Sequence, residues 1–265
     1  PVDRRQRQMC IRDSVNTAIQ ADVDNGNSVG GYTISSITKD TTGNFRKIVV
    51  LNDDGSILAV GAPNADVSLN QGIVSIYQRD ASNTTVVPYG WTKLGDDIIG
   101  ALSGDQFGSS VSLSSDGTIV AIGASSADVS LNSNHGHVRI YQRDASNTTV
   151  VPYGWTKLGG DIIGDLSGDQ LGSSVSLSSD GTIVAIGASS ADVSLDSNNG
   201  HVRIYQRDAS NTTVVPYGWT KLGDDIIGDL SGDQLGSSIS LSSDGTIVAV
   251  GAPMADISLN SNHGL

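Results

Sequence analysis

Gly108-Ser109-Ser110-Val111-Ser112-Leu113-Ser114-Ser115-Asp116-Gly117-Thr118-Ile119-Val120-Ala121-Ile122-Gly123-Ala124 is the stretch that decides the fold. Its first six residues alternate small polar with apolar side chains, the period of a half-buried strand. Ser115-Asp116-Gly117 then supplies a tight hairpin, because glycine reaches positive φ without a steric penalty. Thr118 to Ala124 is apolar on both faces, which suits a strand buried between two neighbouring sheets. Downstream, His137-Val138-Arg139-Ile140-Tyr141-Gln142-Arg143 reads as a third strand. Pro152-Tyr153-Gly154 reads as a turn, and Trp155-Thr156-Lys157-Leu158 as a fourth strand.

This unit recurs. Asp116, Asp180 and Asp244 stand 64 residues apart, and Asp54 precedes Asp116 by 62 because Asn70-Gln71-Gly72 is shorter than Asn132-Ser133-Asn134-His135-Gly136. Residues 105–168 and 169–232 differ at four positions only: Phe107/Leu171, Asn132/Asp196, His135/Asn199 and Gly160/Asp224. A four-stranded sheet of this size cannot hide two apolar faces alone, so copies must stack around an axis as the blades of a β-propeller. Small residues in strand one suit the crowded centre, and Tyr141 and Trp155 the wider periphery. The expected fold is therefore all-β: a β-propeller fragment of four-stranded antiparallel blades, with the ring left open. Helical solenoids lack their 3.6-residue period here, calcium β-rolls have a much shorter repeat, and an open β-solenoid stays as the alternative. The expected divisions are 1–14, 15–42 (a divergent lead), blades at 43–104, 105–168 and 169–232, and a partial blade at 233–265.

Arg4-Arg5-Gln6-Arg7-Gln8-Met9-Cys10-Ile11-Arg12-Asp13-Ser14 matches one translated frame of a transposon-end sequencing adapter, so residues 1–14 are read as an artefact. With them go four Arg and two Asp, leaving 15 − 4 basic against 28 − 2 acidic side chains, or −15. All the acid is Asp. So acidic a surface argues against nucleic acid and anionic membranes as partners. The single cysteine, Cys10, falls in the adapter stretch, and no apolar run approaches a membrane span. No membrane insertion is expected in this segment.

Phe107-Gly108 with Gly123-Ala124, and Gly61-Ala62-Pro63 and Gly251-Ala252-Pro253, resemble the FG-GAP repeats of integrin α-subunit propellers. The whole of residues 43–265 is closer still to the large FG-GAP-like propellers of marine microbes and algae. The resemblance implies an extracellular or cell-surface interaction and adhesion scaffold. It departs from the pattern at Leu171 and Leu235 (for Phe), Arg46 (for Gly), and Ser125 and Ser189 (for Pro). Integrin-type blades often hold calcium in an Asp-x-Asp-x-Asp-Gly hairpin, but Asn52-Asp53-Asp54-Gly55 and Ser114-Ser115-Asp116-Gly117 have too few carboxylates for that cage.

No cofactor is expected, calcium being the one candidate. Asp161, Asp165 and Asp169, spaced by four, could converge on it, although an acidic solvated turn is the favoured reading. Asp22-Val23-Asp24-Asn25-Gly26-Asn27 has its Gly one place early for an EF-hand loop. His135 and His137 form a metal-like pair, but Ile73 and Asn199 stand at matching places, so surface or strand packing is expected of His137 and His201. Trp91, Trp155 and Trp219, with Tyr89, Tyr153 and Tyr217, are either packing residues or sugar-stacking platforms. Asn83-Thr84-Thr85, Asn147-Thr148-Thr149 and Asn211-Thr212-Thr213 are N-glycosylation sequons, and glycans are expected at Asn83, Asn147 and Asn211 if a eukaryotic cell secretes the protein.

Ser, His and Asp occur without any activating context, and near-identical blades repeat the same groups where an active site assembles unlike ones. The chain is therefore not expected to be an enzyme. Its partners are expected to be a protein or a glycan, held by propeller loops through repeated weak contacts. Two alternatives stand beside this reading: a substrate-binding appendage of a larger secreted enzyme, and a structural matrix repeat.

Overall fold

The computed structural model describes residues 48–65, 71–85, 90–128, 134–192 and 198–255. All regular elements among them are β-strands, and no helix long and apolar enough to cross a membrane is present among them. The first sheet holds β1 (Ile48–Leu51), β2 (Ile57–Ala62), β3 (Ile73–Arg79), β4 (Trp91–Lys93) and β5 (Ile98–Ile99). The second repeats it with β6 (Ser110–Leu113), β7 (Ile119–Ala124), β8 (His137–Arg143), β9 (Trp155–Lys157) and β10 (Ile162–Ile163). The third holds β11 (Ser174–Leu177), β12 (Ile183–Ala188), β13 (His201–Arg207), β14 (Trp219–Lys221) and β15 (Ile226–Ile227). A two-stranded piece, β16 (Ser238–Leu241) with β17 (Val248–Gly251), follows. Pairing is antiparallel throughout, and these are propeller-like blades.

The fourth strand is longer than the sequence suggests. Its first half, β9, pairs with Tyr141–Arg143, and Leu158 N–H then donates to Ile140 O at 2.8 Å. Gly159-Gly160-Asp161 bulges out, after which β10 returns to pair with His137 and Val138. Glycines and an aspartate in mid-strand look like the start of a loop, so the expected strand stopped at Leu158.

Burial follows the two-faced apolar pattern. Every residue of β2 and β7 is buried. Val120, Ile122 and Ala124 pack with Ile57, Ala59, Val74 and Ile76 of the preceding sheet. Ile119 and Ala121, on the opposite face, pack with Val184, Ile186 and Ala188 of the following one. Period two thus sends alternate side chains of one strand into two different cores.

Neighbouring sheets approach most closely at their first strands. Ser110 Oγ donates to Gly172 O at 2.7 Å, and Leu177 N–H donates to Ser112 Oγ at 3.0 Å. Ser174 and Ser176 repeat both bonds with Gly236 and Leu241. A Cβ on Gly123 would lie 2.2 Å from Gly172 O, so only glycine permits this approach. The hairpin tips are chained as well: Ser115 N–H donates to Ser179 O (2.8 Å), and Ser179 N–H to Ser243 O (2.9 Å).

The outer strands are spread by large side chains. Trp155 and Trp219, each 1% exposed, reach back to the preceding sheet. Their indole N–H groups donate to Leu94 O and Leu158 O, both at 2.8 Å. Serines on the inside and indoles on the outside make the wedge that a fan of sheets requires.

Trp155→Ala is expected to cost about 3–5 kcal/mol of unfolding free energy, through the lost packing and cavity. Trp155→Phe is expected to cost about 1–3 kcal/mol, because Leu94 O is left buried without its donor. Urea unfolding followed by circular dichroism reads both, and a loss below 1 kcal/mol for Trp155→Ala would remove this joint from the account.

Candidate functional site

Among the described residues, polar side chains gather at the hairpin tips, in the seams between sheets and on the outer rim. In the second sheet Arg139 grips Asp161 through Nε (3.1 Å to each oxygen) and Nη2 (3.0 Å), and Lys157 pairs with the same carboxylate. In the third, Arg203 holds Asp225 in the same way and also reaches Asp165 of the preceding sheet. Burial works to raise the Asp161 pKa, but Arg139 and Lys157 outweigh it and hold the carboxyl below its usual range. Burial likewise works to lower Arg203, and Asp165 and Asp225 overcome it.

Asp161, Asp165 and Asp169, read from the sequence as an acidic turn with calcium as the alternative, are each held by a separate partner. Asp161 faces cations of its own sheet, Asp165 faces Arg203 across the seam, and Asp169 Oδ2 accepts from Leu166 N–H at 2.9 Å within a turn. The four-residue spacing points the three carboxylates at three different partners. Among the described residues no three His, Cys, Asp or Glu side chains are grouped to hold a metal. Asp22 to Asn27 lies outside the described residues.

The two seams solve one problem differently. At the first, Ala101 stands where Asp165 stands at the second, and Arg139 lies over the Phe107 ring, 5.9 Å from its centroid. At the second, Leu171 replaces Phe107 and Asp165 supplies a charge. An aromatic face in one seam and a carboxylate in the other thus attend the same guanidinium. Both differences were visible in the sequence, but nothing in it placed Phe107 beside the following sheet's arginine.

His137 and His201 are strand residues, buried, with Nε2 lacking a hydrogen-bond partner among the described residues. His137 lies against Phe107, ring centroids 6.3 Å apart. Burial, reinforced by Arg139 and opposed by Asp161, lowers the His137 pKa to about 4. Burial lowers His201 as well. These neutral rings are packed inside a seam. His135 is also buried.

The burial of Trp155 and Trp219 removes them as sugar-stacking platforms: their rings fill the joint between sheets. Trp91 is partly exposed and packs on Leu58, Val60 and Tyr77. Tyr153 and Tyr217 are exposed, and Tyr89 lies outside the described residues.

On the outer rim the sequon asparagines hold the strand edge. Asn147 Nδ2 donates to Trp155 O (2.7 Å), Val150 O (2.8 Å) and Pro152 O (3.2 Å), while its Oδ1 accepts from Val150 N–H. Asn211 Nδ2 donates to Trp219 O (2.8 Å) and Pro216 O (3.2 Å), and Asn83 Nδ2 to Trp91 O (2.6 Å). The nitrogen that a glycan would occupy therefore ties the loop over an outward-facing edge. Asp144 and Asp208 support the same loop, accepting from Ser146 and Thr156, and from Ser210 and Thr220.

Beneath each loop lies an open hollow of about 420 Å³ in the second sheet and about 400 Å³ in the third. Val150, Val151, Pro152, Tyr141, Asp144 and Lys157 line the former, and their counterparts line the latter. Val150 and Val214 are each 66% exposed. The sequence reading missed these hollows, although two adjacent valines in a polar loop were the available signal.

No family model and no curated protein matches the chain. Among solved structures, a candidate 6-phosphogluconolactonase from Bacteroides fragilis is similar at 16% identity and a TM-score of 0.42, covering 72% of this chain and 44% of that one. Hydrazine synthase from Kuenenia stuttgartiensis is similar at 14% identity and a TM-score of 0.45, covering 79% of this chain and 59% of that one. The chain spans about half the length of these two structures. Likenesses of this degree carry no statement about activity.

Two measurements check the seams. In a double-mutant cycle, Leu171→Phe is expected to cost less in an Asp165→Ala background than in the parent, with a coupling of about 0.5–1 kcal/mol. The coupling is modest because the Asp165 side chain is 68% exposed and screened by solvent. Strict additivity would show that ring and carboxylate do not serve the same arginine.

The second concerns pH. A histidine whose folded pKa is depressed binds its proton more readily when unfolded, so its contribution is complete above about 6.5 and is lost as pH falls toward 4. The unfolding free energy is thus expected to decline from pH 7 to 4, before Asp161 and Asp225 lose their partners at lower pH. His137→Ile with His201→Ile, copying Ile73, is expected to flatten that decline. Asp105, raised by burial, acts in the opposite sense in both proteins and cancels from the difference. Parallel curves for parent and variant would contradict the assignment.

Proposed function

We propose that this chain is a non-catalytic, multivalent interaction scaffold of the FG-GAP-like kind, acting outside the cell or at its surface, and that its ligand is a protein or a glycan. One observation carries the reading: the same half-apolar hollow opens on the outer rim of consecutive sheets, with valines presented to solvent and an aspartate, a lysine and threonines around them. An apolar floor with a few convergent polar groups suits a ligand that is itself amphipathic, a sugar ring or a short peptide segment. Identical sites at fixed spacing reward a ligand with a matching repeat, since each further contact is intramolecular once the first has formed. Among the described residues, the buried histidines and the carboxylates of Asp161 and Asp225 are engaged in packing and ion pairs within the seams.

Arrays of immobilised glycans and of extracellular-matrix peptides test this with the full chain. Val150→Asp with Val151→Asp is expected to weaken the best binder by about tenfold or more through lost avidity. Adding Val214→Asp with Val215→Asp is expected to abolish binding, while thermal stability stays close to the parent value. Unchanged binding by the fourfold variant would overturn the rim site.

A further inference from the structure

Each sequon asparagine is the hub of its rim loop. Asn147 N–H donates to Asp144 O (3.0 Å), its carbonyl accepts from Gly154 N–H (2.8 Å), and Asp144 N–H closes the neck on Gly154 O (2.9 Å). Asn211 repeats these three bonds with Asp208 and Gly218, and Asn83 with Asp80 and Gly90. The side chain then spans the loop. Asn147 Nδ2 reaches the carbonyls of Val150, Pro152 and Trp155, and its Oδ1 holds Val150 N–H at 3.0 Å. In the third sheet Val214 N–H donates to Asn211 Oδ1 at 2.9 Å. Main chain fixes the neck, and the side-chain amide sets where the valines stand over the hollow.

A side-chain amide has two hydrogens, and at Asn147 three carbonyls share them. N-glycosylation consumes one. The nitrogen attacks the anomeric carbon of a lipid-diphosphate sugar donor, the N–C bond forms as the C–O bond to diphosphate breaks, and the displaced amide proton leaves. With one hydrogen left, the three carbonyls are no longer all served, and a bulky sugar needs room inside the loop. Trp155 O is partly buried, so abandoning it carries the cost of an unsatisfied acceptor. Thr148 and Thr149 are exposed, so the sequon is displayed while its acceptor nitrogen is engaged.

We propose that Asn147 and Asn211 are modification sites only in the open loop, and that a glycan there and the closed rim loop exclude one another. Asn83 shares the bond to its tryptophan carbonyl and falls under the same rule. A chain that folds first is closed to the transferase. A chain modified first keeps its valine arm off the strand edge and loses the hollow. Each sequon thus selects between two rim surfaces, a half-apolar hollow or a sugar-covered edge. The consequence for binding rests on the rim site proposed above, whereas the exclusion rests on the hydrogen bonds alone.

Unmodified full chain from a bacterial cytoplasm, offered to an oligosaccharyltransferase with its lipid-linked donor beside an unfolded peptide copying residues 144–158, tests the exclusion. Intact mass is expected to show the peptide modified and the folded chain slower by about a hundredfold or more. Full chain secreted by a glycosylating eukaryotic cell, with sugar at Asn147, should exchange the Val150 and Gly154 amides about tenfold or more faster than the unmodified chain. Thr149→Ala from the same cell removes the sequon but keeps the amide, and should restore the slow rate. Asn147→Asp keeps an acceptor oxygen but no donor, and should speed Gly154 without any sugar while the circular dichroism of the sheets is unchanged. Equal modification of folded chain and peptide, slow exchange in the glycosylated chain, or slow exchange in Asn147→Asp would each overturn the proposal. Faster exchange in the glycosylated chain with array binding equal to that of the unmodified chain would uphold the exclusion and remove the rim site instead.

Discussion

An indole that crosses from one sheet to a backbone carbonyl of the sheet before it is the contact on which the rest depends. Each blade has a second strand that is apolar on both faces, so it has no dry side of its own and is buried only when flanked. Trp155 and Trp219 fix how far apart the flanking sheets stand at the periphery, while Ser110 and Ser174 fix how close they come near the axis. From that difference follow the fan of the sheets, the glycines where backbones touch, and the placing of polar residues in seams and rim.

Once the joint is fixed, the seams are free to vary in their polar detail. Arg139 and Arg203 occupy equivalent positions and hold equivalent carboxylates, yet one is completed by an aromatic ring and the other by a charge. A buried guanidinium needs its hydrogen bonds and a favourable face, and several side chains provide the second. Ile73 in place of His137, and Ser75 in place of Arg139, make the first sheet's third strand less polar still. Repeats diverge where the joint tolerates it.

The period of two, the Asp-Gly hairpins and the 64-residue spacing made the strands and their stacking readable from sequence, because each rests on local backbone chemistry. The fourth strand was cut short since its bulge carries loop residues, and only pairing with β8 shows that β10 continues it. The site was far less legible. Asp161, Asp165 and Asp169 form a pattern along the chain, but their partners come from other strands and from the next sheet. Packing is the default reading for periodic tryptophans, with platforms as the alternative, and only the burial of Trp155 and Trp219 decides between them. The sequons hid a second role, because a hydrogen bond from Asn147 to Trp155 O depends on how the intervening loop folds back.

A fan of sheets built this way leaves the outside of its joints free to repeat side chains without disturbing the core. Native-state hydrogen exchange of the full chain tests the dependence on flanking most directly. Amides of β7 and β12, covered on both faces, should exchange only through global unfolding, whereas those of β17, which shares the sequence pattern but is only partly buried, should exchange at least a hundredfold faster. Equal protection of β12 and β17 would mean that a blade secures its second strand without a neighbour, and the account would fail.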